Sequence, residues 1–142
     1  MRVVCSVSQE VDAYVAMSRA RELAKRIGFS QIDRTRIEIA VLELARNILA
    51  HAHRGQVLIG LIQEGEQQGV LVEASDQGPG IADIALAMRD GFSTANTLGT
   101  GLPGVQRLMD VFEIKSTLGV GTYVRAIKWC PSALLNRMGG VR

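Results

Sequence analysis

The sequence predicts an α/β (α+β) two-layer sandwich: a mixed, mostly antiparallel sheet with its helices gathered on one face. Three observations predict it. The apolar segments follow the order βααββααββ, without an internal repeat or a linker. Strands come in adjacent pairs joined by short polar turns, which favours hairpins over parallel crossovers. One helix in the first half is apolar around most of its circumference, so it must lie buried across a sheet.

Each element has its own signature. Residues 3–7 read as a short strand, and Ser8 is a plausible N-cap for the helix that follows. Val11, Val15, Leu23 and Ile27 recur at helical spacing up to Gly28, a C-cap residue. Ser30 and Asp33 are alternative N-caps for the second helix, which runs to about Ala52. Ile37, Val41, Leu44 and Ile48 form its apolar stripe, and Ile39, Leu42 and Leu49 widen it. Residues 56–63 and 69–75 make a hairpin around a polar turn at 64–68. A short helix at 84–89 and a polar loop at 91–100 precede a helix at 102–110, where Pro103 suits the first turn. Strands at 111–117 and 122–129 flank Leu118-Gly119-Val120-Gly121. Residues 1–130 are expected to form one domain and 131–142 a short, loosely attached tail.

Composition narrows the function. The 142 residues are 47% hydrophobic and 21% charged, as in an ordinary globular domain. A formal net charge of +2, with basic residues no denser than pairs, argues against a nucleic-acid or membrane surface. No apolar run reaches the ~20 residues needed to cross a bilayer. Two distant cysteines, Cys5 and Cys130, and no secretory leader fit thiols in a reducing cytoplasm better than a disulfide.

Four segments carry chemistry. Glu43 and Asn47 project from one face of the second helix, one turn apart. The Asn47 carbonyl is a hard, neutral ligand suited to magnesium that takes its other ligands from phosphates and water; simple backbone capping by this pair is the alternative. Asp76-Gln77-Gly78-Pro79-Gly80 follows an apolar strand. A carboxylate there can accept a hydrogen bond from an exocyclic amine, as adenine presents, while Gly78 and Gly80 allow close approach and positive φ; an ordinary surface turn is the alternative. Gly99-Thr100-Gly101-Leu102-Pro103-Gly104 sets backbone N–H groups at a helix start, where phosphate is favoured. It lacks the GK[ST] ending of a Walker loop. Gly119-Val120-Gly121-Thr122 has the form of a hairpin turn.

In this order, the four segments resemble the GHKL, or Bergerat, ATP-binding fold shared by histidine kinases, DNA gyrase and MutL. The resemblance spans residues 3–129. It implies that Asp76 and Thr122 hold adenine, with Gly78, Gly80 and Ile81 shaping that end of the pocket. It also implies that Gly99, Thr100, Gly101, Leu102 and Gly104 clamp the phosphates, that Asn47 binds magnesium, and that Glu43 is the catalytic base. No helix bearing a phospho-acceptor histidine is evident; His51 reads as structural and His53 as solvent-facing. Glu43-Leu44-Ala45-Arg46-Asn47, Asp76-Gln77-Gly78-Pro79-Gly80-Ile81, Asp90-Gly91-Phe92-Ser93-Thr94 and Leu102-Pro103-Gly104-Val105 look like the RsbT-type serine/threonine kinases of the stressosome. Such kinases imply ATP and magnesium as cofactors. Their implied partners are STAS-domain scaffold proteins as substrates and a metal-dependent serine/threonine phosphatase as the activated partner. A nucleotide-gated module that sequesters a sigma factor is the other reading. Arg46 is either a contact for the protein substrate or a surface ion pair. The chain differs from the type at Ala95-Asn96-Thr97, where more glycine is expected, and in its tail beyond Trp129.

Overall fold

In the computed structural model the described residues are 1–89 and 101–131. They form β1 (Arg2–Val7), α1 (Glu10–Ile27), α2 (Gln31–His51), β2 (Gly55–Glu64), β3 (Gln67–Asp76), α3 (Ile84–Ala87), α4 (Leu102–Leu108), β4 (Val111–Thr117) and β5 (Gly121–Trp129). The strands make one sheet in the order β1-β2-β3-β5-β4. Every pairing is antiparallel, so the parallel component allowed by a mixed sheet does not occur among the described residues.

Alternation along the strands separates the two faces. Val57 and Ile59 of β2, Val70, Val72 and Ala74 of β3, and Val124 and Ala126 of β5 join the main core beneath the helices. All four residues of the predicted α2 stripe are buried there, together with Leu42. Ser30 is the α2 N-cap, its hydroxyl accepting the Asp33 N–H at 3.1 Å. Gly28 caps α1 at φ +104°, a left-handed conformation that glycine adopts without strain.

α1 departs from the expected pattern. Val11 and Val15 are 58% and 44% exposed, and the buried face is instead Ala13, Ala16, Ala20, Leu23 and Ala24. Small alanines let α1 lie close to α2 and the sheet, so the larger valines take the outside. Its N-cap is Gln9, one residue later than Ser8, because Asp12 reaches back to accept the N–H groups of both Ser8 and Gln9. Those two bonds hold the Asp12 carboxyl below the usual aspartate range. The β2–β3 turn is also tighter than expected. Glu64 pairs with Gln67, leaving Gly65 at φ +59° and Glu66 to make the turn. Both cysteines are buried free thiols.

Candidate active site

A cavity of about 320 Å³ opens between the C-terminal half of α2, the end of β3, the start of α4 and the β4–β5 hairpin. That size falls within the range of small-molecule sites. Pro79, Ile81, Ala87 and Leu102 supply apolar walls, and Asn47, His51, Asp76 and Thr122 supply polar groups.

The Asp76 end is fixed by strand pairing. Asp76 is the last residue of β3, and its partner on β5 is Thr122, itself paired with Ser116 on β4. Asp76 Oδ1 accepts the Gly78 N–H at 2.9 Å and the Thr122 N–H at 3.3 Å. Oδ2 takes no hydrogen bond from the described residues. Thr122 is buried, with its hydroxyl 2.8 Å from Ser116 Oγ, and that Oγ accepts the Ile81 N–H at 2.7 Å. Asp76, Thr122, Ser116 and Ile81 are therefore one bonded unit.

Glycine is required here for space. A Cβ on Gly121, at φ +148°, would collide with the Asp76 carbonyl; one on Gly80, at φ +80°, would strike the Thr117 carbonyl. Gly78 has ordinary φ and needs only closeness, since a Cβ would press on Ala52.

Glu43 and Gly101 meet at the other end. Glu43 is 2% exposed, and its Oε2 accepts the Gly101 N–H at 2.8 Å. Burying a carboxylate is costly without such donors. Gly101 is the α4 N-cap at φ +77°, so the bond ties the middle of α2 to the start of α4. The first N–H groups of α4, at Leu102 and Gly104, have no intrahelical acceptor. Asn47 lines the cavity one turn beyond Glu43.

Of the residues singled out in the sequence, the cavity brings together Asn47, Asp76, Gly80, Ile81, Gly101, Leu102 and Thr122. Gly78 acts through its N–H on Asp76, and Gly104 is buried inside α4. Glu43 does not line the cavity; it sits behind Gly101. Gly99, Thr100 and the loop departure at 95–97 lie outside the described residues. Sequence reading missed Ser116, although pairing residues across the 118–121 turn would have set it opposite Thr122. His51 lines the cavity, while His53 is exposed at φ +69°. Arg46 belongs to the α1–α2 seam. Its guanidinium donates to Tyr14 Oη at 2.7 Å and to Glu10 at 3.2 Å, with the Tyr14 ring centroid 5.8 Å away.

The chemistry fits a nucleotide with its metal. Among the described residues no three His, Cys, Asp or Glu side chains converge to hold a cation by themselves. Asn47 alone suits a magnesium ion that arrives on a triphosphate and keeps most of its ligands from there. Among the described residues no helix is long and apolar enough to cross a membrane.

Comparison with known proteins identifies the family. The family model of the histidine kinase-like ATPase domain matches residues 7–128. The chain is 47% identical over 123 residues to the serine/threonine-protein kinase RsbT of Bacillus subtilis, covering 87% of this chain and 92% of that one. It is 34% identical over 97 residues to an anti-sigma F factor of Caldanaerobacter subterraneus, covering 66% and 68%. Among solved structures, the RsbU and RsbW domains of a Mycobacterium tuberculosis protein match with a TM-score of 0.64 at 17% identity. That match covers 90% of this chain and 32% of the larger one, and it bears on the fold alone.

Proposed function

Because this chain belongs to the histidine kinase-like ATPase domain family, as an ATP-using enzyme of the serine/threonine protein kinase kind, we propose that it phosphorylates STAS-domain scaffold proteins and, once released from them, binds and activates a metal-dependent serine/threonine phosphatase. The observation that carries the kinase reading is Glu43. A pocket that only binds nucleotide needs Asp76 and Asn47, but not a buried carboxylate bonded to the start of α4.

The residues divide the work. Asp76 uses Oδ2 to accept the exocyclic amine of adenine, since Oδ1 is committed to Gly78 and Thr122. Guanine presents an oxygen at that position and is repelled. Leu102 and Gly104 offer backbone N–H groups to the phosphates, as helix starts do. Asn47 holds magnesium through its amide oxygen; the metal, when bound, neutralises charge on the triphosphate. Glu43 exchanges the Gly101 N–H for the hydroxyl of the incoming serine or threonine and accepts its proton. Proton removal comes late in phosphoryl transfer, so position matters more than basicity.

The second reading is a nucleotide-gated binding module that sequesters a sigma factor with little turnover. The identity to an anti-sigma F factor favours keeping it. One experiment separates the two: incubate the protein with labelled ATP, magnesium and STAS-domain proteins, with Glu43→Gln alongside. The glutamine oxygen still accepts the Gly101 N–H, so the pocket is preserved while the base is lost. Label on a STAS serine or threonine, absent in the variant, supports the kinase. Tight ATP binding without label in the wild type points to the binding module, and label undiminished in the variant removes Glu43 as the base.

A further inference from the structure

α4 is short, seven residues and ~10 Å long, and it is held at both ends. At its start the Gly101 N–H donates to Glu43 of α2. At its end the Leu108 carbonyl accepts a hydrogen bond from the Lys128 ammonium of β5 at 3.0 Å. Lys128 pairs across the sheet with Val70, a residue of the core beneath the helices, so its side chain leaves the sheet on that face. An ammonium there is costly unless partners meet it.

Two carboxylates are also within reach, Asp110 Oδ1 at 3.4 Å and Asp33 Oδ1 at 3.9 Å. Neither depends on the lysine. Asp33 Oδ1 lies 2.9 Å from the Arg36 guanidinium. Asp110 Oδ2 accepts the Trp129 N–H at 2.7 Å, and the Asp110 N–H donates to the Ile127 carbonyl at 2.8 Å. The shortest contact of the ammonium among the described residues is the Leu108 carbonyl. A staple between two acids would not call for it. The last carbonyls of a helix lack intrahelical donors, and a lysine placed there satisfies one of them and meets the negative end of the dipole.

The anchor is a firm one. β5 is paired on both sides, to β3 and to β4, so Lys128 refers the end of α4 to the interior of the sheet. The other end of the same helix, Gly101 and Leu102, lines the cavity. Over about two helical turns, a displacement at Leu108 is passed on to Gly101 with little lost.

We propose that Lys128 is a positioning residue for the candidate active site. By holding the Leu108 carbonyl it sets where α4 begins, so that Gly101 meets Glu43 and Leu102 stands against the cavity. The consequence for nucleotide rests on the kinase reading; the hold on Gly101 does not.

Amide hydrogen exchange, followed by NMR in the nucleotide-free protein, compares the wild type with Lys128→Met and Lys128→Arg. Methionine keeps the apolar stem without the donor, and both carboxylates retain their other partners. Lys128→Gln, shorter and uncharged, gives the same readout if methionine impairs folding. Exchange at Gly101 should be about tenfold faster in the methionine and glutamine variants, with Val72 at the centre of the sheet unchanged. Arginine, which can still donate to the Leu108 carbonyl, should restore the wild-type rate. ATP affinity by calorimetry should fall severalfold in the same two variants and recover with arginine. Unchanged Gly101 exchange in a folded methionine or glutamine variant would overturn the proposal. So would equal acceleration at Gly101 and Val72, the mark of global destabilisation, or faster Gly101 exchange with ATP affinity unchanged. Faster Gly101 exchange in a protein whose wild type binds no ATP would confirm the hold of Lys128 on α4 and remove the kinase reading instead.

Discussion

Replacing Asp76 with asparagine isolates nucleotide recognition from folding. Asp76 Oδ1 accepts two backbone N–H groups, from Gly78 and Thr122, and an asparagine amide oxygen can accept both. The fold should therefore stay within about 1 kcal/mol of wild type. On the proposed assignment the change at Oδ2 is severe, since an amine would meet the exocyclic amine of adenine, donor against donor. Losing a hydrogen bond to a charged group costs ~1.5–3 kcal/mol, and the donor left unpaired in the pocket adds ~1–3 kcal/mol. Taking ~3 kcal/mol as the lower working figure, ATP affinity should fall ~150-fold. GTP should gain relative to ATP, because the new amine can donate to the guanine oxygen. Calorimetric titration of both nucleotides, with circular dichroism as the folding control, reads both effects. An Asp76→Asn protein that is folded and binds ATP like the wild type, with unchanged discrimination against GTP, would show that Oδ2 does not face the base.

Other outcomes follow from the same geometry. Gly121→Ala drives a methyl into the Asp76 carbonyl at φ +148°, so thermal unfolding should show a loss of about 2 kcal/mol or more. Ser116→Ala removes the acceptor of the Ile81 N–H and the partner of the Thr122 hydroxyl. Denaturant titration should show ~1–3 kcal/mol lost, and ATP affinity should fall with it. Arg46→Ala breaks the α1–α2 seam with Glu10 and Tyr14; it should cost ~0.5–1 kcal/mol of stability and leave phosphoryl transfer to a protein substrate unchanged in a steady-state assay. Burial first, then the bond to Glu73, pushes the Tyr123 hydroxyl up to about 12 from an ordinary value near 10. A raised pKa favours folding while the group is protonated, so this contribution is intact below pH ~10 and lost as pH rises toward ~12. Tyr123→Phe should flatten the decline of stability across that window in denaturant titrations at stepped pH.

The sequence made the element order legible because each strand and helix carries a local period and most ends carry a capping or turn residue. The α2 stripe was legible for the same reason, being apolar on nearly every face that could be buried. α1 was not. Its valines have the right spacing for a core stripe, but the face that packs is the mostly alanine one, with Leu23, and which face packs is a tertiary matter. Asp76, Gly80 and Thr122 could be found because their motifs are contiguous in the chain. Ser116 could not be found by motif, since its role depends on hairpin register. The bond between Glu43 and Gly101, 58 residues apart, leaves no local trace at either end.

The pairing of Asp76 with Thr122 has a consequence for biogenesis. The two residues are 46 positions apart, and they become neighbours only when β5 has zipped onto β3 in register. A slip of one residue would turn Thr122 to the other face of the sheet. During synthesis all eight elements before β5 can have emerged while the Asp76 end of the cavity still lacks one wall. On the proposed nucleotide assignment, a bound ligand stabilises only those molecules whose last strand is in register, so nucleotide affinity reads out the finished sheet.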